Sequence, residues 1–170
     1  MQAVQELPMA PGALDLAEAA RRYYGDVFRF CARRVGQDLA ADAAQETFLT
    51  AQRVQSKFRG DSTTKTWLLG IAHNECRNLL RSKRRDPLPI LFSPPTPGHE
   101  ESSVNRRALE QALGTLSPVL REAVILHELD QLTYEEAAAV LGVPVGTVKS
   151  RLHNAFAQLR QTLSAEGGRS

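Results

Sequence analysis

From Leu14 to Val35 the apolar positions Leu16, Ala20, Tyr23, Val27, Phe30 and Cys31 recur at helical spacing, and Gly36 suits the stop. Asp38 is placed to cap a second helix, whose stripe runs Ala40, Ala44, Phe48, Ala51, Val54 and Phe58. The polar run from Arg59 to Thr64 reads as a loop. A third helix is predicted from about Lys65 to Arg84, with Leu68, Ile71, Ala72 and Leu79 inward. The first thirteen residues hold two prolines and a glycine without a helical stripe, and read as a loose tail.

The pattern then breaks. Proline stands at 87, 89, 94, 95 and 97, a density that opposes helix and favours an extended chain. Residues 86–102 are therefore read as an interdomain linker, with the apolar cluster Leu88, Ile90, Leu91 and Phe92 marking contact with another surface. Helices resume near Ser103, with Leu109, Ala112, Leu113 and Leu116 inward. Ser117-Pro118 is a cap followed by proline at the first helical position, opening a helix to about Leu129. Thr133 and Glu136 form a capping box for the next one. The expectation is an all-α chain of two small helical domains, 14–85 and 103–165, with short tails over 1–13 and 166–170.

Composition adds compartment and charge. No apolar run is long enough to span a membrane, and the N-terminus lacks the basic start and apolar core of a secretory signal. Two cysteines in such a chain are read as reduced thiols in the cytoplasm. Residues 1–85 carry 14 Lys/Arg against 9 Asp/Glu, a balance of +5, while residues 86–170 carry 7 against 10, a balance of −3. Local patches are therefore more informative than the net charge of +2.

Residues 133–160 carry the most specific pattern: a capped short helix, a turn at Gly142, then a second helix. Ala137 is small where two helices cross, and Val143 fills the space between them. This is a helix-turn-helix signature. At 100° per residue, Val148, Leu152, Ala155, Leu159 and Leu163 share one face of the second helix. Gly146, Lys149, Ser150, His153 and Ala157 lie opposite, with Asn154 at the flank. That outer face has the long donors and small residues that a major groove requires. A second constellation places Asn74, Arg77, Asn78, Arg81 and Arg85 on one face, near Trp67, as phosphate ligands and a stacking platform for melted DNA. A third puts Asp42, Gln45, Glu46 and Leu49 on a common helix face suited to a basic partner.

Together these segments make the chain resemble the extracytoplasmic-function (ECF) group of sigma-70 RNA polymerase sigma factors, over roughly residues 15–165. The strings that carry the resemblance are DAAQETFL (42–49), FRGDS (58–62), TWLLGIAHNECRN (66–78), LSPVLREAVILHELDQLTYEEAA (116–138) and LGVPVGTVKSRLHNA (141–155). The resemblance implies that Asp42, Gln45, Glu46, Phe48 and Leu49 dock on the coiled coil of the polymerase beta-prime subunit. It implies a base-capturing loop at the minus-10 element built on Arg59, Gly60, Asp61 and Ser62, with Trp67, Asn74, Arg77, Asn78 and Arg81 on the melted strand. Thr147, Lys149, Ser150, Arg151, His153 and Asn154 are implied at the minus-35 element. The implied partners are core RNA polymerase through beta-prime and beta, promoter DNA, and an anti-sigma factor, without membrane insertion. Family members often carry arginine at the positions of Asn154 and Phe156, and a longer, often basic residue at that of Gly70. Phe156 lies near the edge of the buried face on the wheel and is expected to pack.

No catalytic constellation emerges. The four histidines, 73, 99, 127 and 153, lie on different segments, and His73, Glu75 and Cys76 point apart as near neighbours on a helix. No catalytic residue, metal or cofactor is expected. The competing reading is a stand-alone helix-turn-helix regulator with an N-terminal sensor or dimerisation domain; it leaves 42–78 without a role.

Overall fold

The computed structural model describes residues 14–83 and 108–167, and every described element is helical. The tail over 1–13, the segment 86–102 and its apolar cluster, Arg85, and residues 168–170 lie outside the described residues. The first group comprises α1 (Leu16–Val35), α2 (Gln37–Val54), a 3-10 turn (Gln55–Lys57) and α3 (Thr64–Ser82). Asp15 caps α1 by accepting from the Glu18 N–H, and Thr63 caps α3 by accepting from Thr66. Asp38 does not cap α2. The chain turns at Gly36, whose φ of 83° starts the helix two residues earlier and leaves Asp38 in its first turn. There its carboxylate still faces the positive end of the helix dipole.

Small residues set how closely these helices approach. Ala40, Ala44 and Ala51 of α2 are fully buried against Val27, Phe30 and Cys31 of α1 and Leu68, Ala72 and Cys76 of α3. Cys31 and Cys76 are free thiols. Hydrogen bonding with Cys31, then burial, pushes the Cys76 thiol far above its ordinary value, so it packs as a neutral side chain.

The second group comprises α4 (108–114), α5 (Pro118–Val124) continuing into a π turn (Ile125–Leu129), α6 (Tyr134–Leu141) and α7 (Val145–Gly167). Arg121 ties α5 to the end of α4 by donating to the carbonyls of Leu113, Gly114 and Leu116 at 2.9–3.1 Å. Ala112, Leu113 and Leu116 are buried, whereas Leu109 is 42% exposed and does not join the inward face expected of it. It lies one turn before Ala112 and Leu113, near the start of the described helix. The capping box of α6 is complete, Thr133 and Glu136 each serving the other's backbone N–H. Gly142 adopts φ 65°, ψ 36°, the left-handed cap that lets α7 follow at once.

The two groups pack together, α6 lying along α3. Their contact is built on Arg34, which is buried at the end of α1. Its Nε and Nη2 donate to Glu122 Oε1 at 2.9 and 2.7 Å, and Nη2 also donates to Asp130 at 2.9 Å. Nη1 donates to the Phe30 carbonyl at 3.0 Å, and the guanidinium stacks over the Phe30 ring. Arg33 adds a second bond to Asp130. Burial alone would lower the Arg34 pKa, but Glu122 and Asp130 overcome it and hold the group charged. Burial alone would likewise raise the Glu122 carboxyl, but Arg34 and then His73 hold it at about 2. A further bond joins Thr66 Oγ1 to Glu136 Oε1 at 3.2 Å.

This arrangement is acid-sensitive. A carboxyl depressed from 4.5 to about 2 contributes stability that is fully present above pH 4.5 and is lost as pH falls toward 2. The contribution is on the order of 3 kcal/mol. Thermal unfolding followed from pH 7 to pH 2 should show this loss in the wild type. Glu122→Gln should be less stable at pH 7 and lose less on acidification; equal acid sensitivity would contradict the assignment.

Candidate nucleic-acid and partner interfaces

Three surfaces carry the residues singled out by the sequence. The first is on α2. Asp42, Gln45, Glu46 and Leu49 are all exposed, at the i, i+3, i+4, i+7 spacing of one helix face. Phe48 is half-buried and stacks on Tyr24 of α1 at 6.0 Å, and Tyr24 reaches Phe28 at 6.4 Å. Between α1 and α2 the rings of Tyr24 and Phe48 border an open groove of about 550 Å³ that also includes Leu16, Ala20, Gln45 and Leu49. An apolar groove beside the exposed Asp42 and Glu46, the latter 3.9 Å from Arg53 on the same helix, suits a helical partner with an apolar stripe and flanking bases. Sequence reading missed Tyr24, which falls outside the inward stripe of α1; its signal was a large exposed aromatic beside Tyr23.

The second surface joins the loop before α3 to that helix. Arg59, Gly60 and Asp61 are exposed and Ser62 is half-buried. Phe58 packs on Trp67 at 5.1 Å, which fixes the base of the loop against the helix. Asn74, Arg77, Asn78 and Arg81 are exposed on α3, and none has a side-chain hydrogen bond or ion pair among the described residues. Four unpaired donors beside a half-buried indole can engage phosphates and stacked bases. Thr50 donates to Glu75 at 2.8 Å and so braces α2 against α3.

The third surface is α7. Val148, Leu152 and Ala155 are buried, while Lys149, Ser150, His153 and Asn154 are exposed on the outer side. Lys149 Nζ lies 5.6 Å from the centroid of Tyr134, whose ring packs on His127 at 4.7 Å. His127 is held in turn by the Leu132 carbonyl at 2.8 Å. This places the Lys149 ammonium over an aromatic face at the entry to α6. Ser150 Oγ donates to the Thr147 carbonyl at 3.0 Å, and Thr147 is half-buried. Two residues depart from the expected sorting. Arg151 is half-buried and lines the cleft between the two groups, away from the outer face. Phe156 is 37% exposed, because it follows Ala155 by one position, about 100° round the helix from the buried ladder that continues through Ala155 to Leu159.

His73, Glu75 and Cys76 do not converge, and no cluster of three or more potential metal ligands occurs among the described residues. None of the described helices is long and apolar enough to cross a membrane.

The chain matches the family descriptions "Sigma-70 region 2" over residues 19–86 and "Sigma-70, region 4" over residues 106–159. It is similar to the ECF RNA polymerase sigma-E factor of Escherichia coli (strain K12), 35% identical over 150 residues covering 79% of this chain and 78% of that one. It is also similar to the RNA polymerase sigma factor YlaC of Bacillus subtilis (strain 168), 30% identical over 155 residues, covering 85% and 89%. The solved sigma factor RpoE of Bartonella quintana, in complex with the anti-sigma factor NepR, has a similar fold. There the TM-score is 0.68 and the identity 27%, over 88% of this chain and 97% of that one. With two region matches in the order the sequence gives them, and relatives covering most of both chains, the protein belongs to the ECF group of the sigma-70 family, non-enzymatic initiation factors that direct promoter recognition by RNA polymerase through regions 2 and 4.

Proposed function

We propose how that activity is divided among the three surfaces. The α2 groove, with Asp42, Gln45, Glu46, Phe48 and Leu49, docks the chain on the beta-prime coiled coil of core polymerase, and Tyr24 extends this surface onto α1. The loop Arg59–Ser62 with Trp67, Asn74, Arg77, Asn78 and Arg81 holds the minus-10 element and its melted strand. Lys149, Ser150, His153 and Asn154 read the minus-35 element in the major groove, with Thr147 and Arg151 beside them. Residues 14–85 and 103–165 are the working domains, and 86–102 is the linker between them, passing along polymerase through beta. The protein acts in the cytoplasm. An anti-sigma factor regulates it, as supported by the complex formed by the Bartonella relative.

The observation that carries this division is the unpaired Asn74, Arg77, Asn78 and Arg81 set beside Trp67, on the same chain as a complete helix-turn-helix. A regulator that binds duplex operator needs only the second of these.

Two experiments test it. Replacing Asp42 and Glu46 by Lys changes two exposed residues, so the helical fold should persist while affinity for core polymerase falls at least tenfold. Unchanged affinity in a pull-down would remove the α2 face from the docking site. The two DNA faces should also separate. Lys149→Ala or His153→Ala should weaken promoter capture by roughly 1–3 kcal/mol where a base contact is lost. Asn74→Ala or Asn78→Ala should leave duplex capture intact and reduce permanganate reactivity of the melted strand. A crossed result, in which Asn74→Ala shifts upstream preference, would show the two faces are misassigned.

A further inference from the structure

Arg151 sorts to the DNA face by sequence but lines the cleft between the two domains, where its charge needs another account. The cleft holds about 400 Å³, within the range of small-molecule sites. Leu80 of α3, Val119 of α5, Ile125 of the π turn, and Leu141 and Val143 around the turn before α7 give it an apolar lining. Five arginines stand among them: Arg33, Arg34, Arg77, Arg121 and Arg151.

Their charges are not equally balanced. Arg33 and Arg34 are held by Asp130 and Glu122, two cations against two carboxylates. Arg121 donates to three backbone carbonyls, which satisfy its hydrogen bonds and leave its charge unbalanced. Arg77 and Arg151, one from each domain, have neither a hydrogen bond nor an ion pair among the described residues. Three guanidinium charges around one cleft thus lack a balancing carboxylate. Like charges gathered this way repel, and an anion between them reverses the sign of the interaction. The wall of the cleft is also incompletely bonded. His73, which lines it, is buried, and its Nδ1 is without a hydrogen bond among the described residues. Glu122 Oε1, 3.5 Å from that nitrogen, already accepts two bonds from Arg34. A buried polar atom left in this state marks a place that the chain alone does not complete.

We infer that this cleft binds a small organic phosphate with an aliphatic body. Arg77 and Arg151 hold the phosphate, Arg121 adds charge, and the aliphatic part lies against Leu80, Val119, Ile125, Leu141 and Val143. Guanidinium forks match phosphate oxygens in pairs. A phosphate monoester brings close to two negative charges, which suits three cations better than the single charge of a carboxylate. The body is aliphatic rather than a nucleobase, because no Phe, Tyr or Trp is among the described residues that line the cleft and could stack on a base.

The test is isothermal titration of the full chain with octyl phosphate, with the rise in Tm as a second measure of binding. One site is expected. Inorganic phosphate and octanol, each half of the ligand, should bind roughly tenfold more weakly or worse. Arg151→Gln removes the charge but keeps a polar side chain, and should weaken octyl phosphate roughly tenfold or more. Val119→Trp fills the cleft from an exposed position, so helical circular dichroism should persist while binding is lost. Arg160→Gln removes an exposed cation of the same helix that does not line the cleft, and should leave the affinity unchanged.

Equal binding of inorganic phosphate would reduce the site to a patch of charge, and equal binding of octanol to an apolar hollow; either overturns the assignment. So would an octyl phosphate affinity that neither Arg151→Gln nor Val119→Trp changes, or the absence of both heat and a rise in Tm at millimolar ligand. A bilayer lipid could offer the same head group. Val119→Trp should therefore sediment with vesicles of phosphatidic acid and phosphatidylcholine as the unsubstituted chain does. A loss confined to that variant would make the lipid the source and overturn a soluble ligand. Should Val119→Trp fail to fold, Arg151→Gln against Arg160→Gln decides the matter. Binding is read without polymerase or DNA, so its failure leaves the division of function among the three faces untouched.

Discussion

One buried guanidinium organises this molecule. Arg34 stands at the end of α1, where it closes the first domain by bonding to the Phe30 carbonyl and stacking on that ring. The same group donates to the carboxylates of Glu122 and Asp130 from the second domain. It is the point at which the interior of one domain and the interface with the other are the same set of bonds. The depressed carboxyl of Glu122, the seat of α6 on α3 and the cleft lined by Arg77 and Arg151 all follow from where Arg34 is held.

The functional faces lie on the outside of this arrangement. The α2 groove, the α3 donors and the outer side of α7 remain exposed while the two domains pack together. Each face is braced by neighbouring side chains. Phe58 holds Trp67, Thr50 holds Glu75, Tyr24 holds Phe48, and Tyr134 positions Lys149. These braces are short-range contacts within a domain, so the faces keep their shape when the domains part.

The helices, their caps and the helix-turn-helix were legible because they are local. The spacing of Ala40, Ala44 and Ala51, the Thr133–Glu136 box and the left-handed Gly142 each act within a few residues, and a sequence displays them directly. The α2 and α7 faces were legible for the same reason. Arg34, Glu122 and Asp130 were not, because their partners lie 88 and 96 residues apart and each in isolation reads as a surface charge. Tyr24 was missed because its role depends on α2 lying beside it. Arg151 sorted to the DNA face by sequence position, yet the neighbouring domain draws it into the cleft. Gly70 could be noted as a departure from its family, but its approach to the Val140 backbone appears only when the domains pack.

The central claim is that two domains that rest together must work apart. It is tested most directly by measuring the distance between one label on each domain, first in the free protein and then in the assembled polymerase–promoter complex. The account predicts a separation below roughly 40 Å when free, the width of a compact chain of this length. In the complex it should lengthen toward the roughly 85 Å that separates the two promoter elements. An unchanged short distance in a complex competent for transcription would contradict it, since the two faces could not then be reading separate elements.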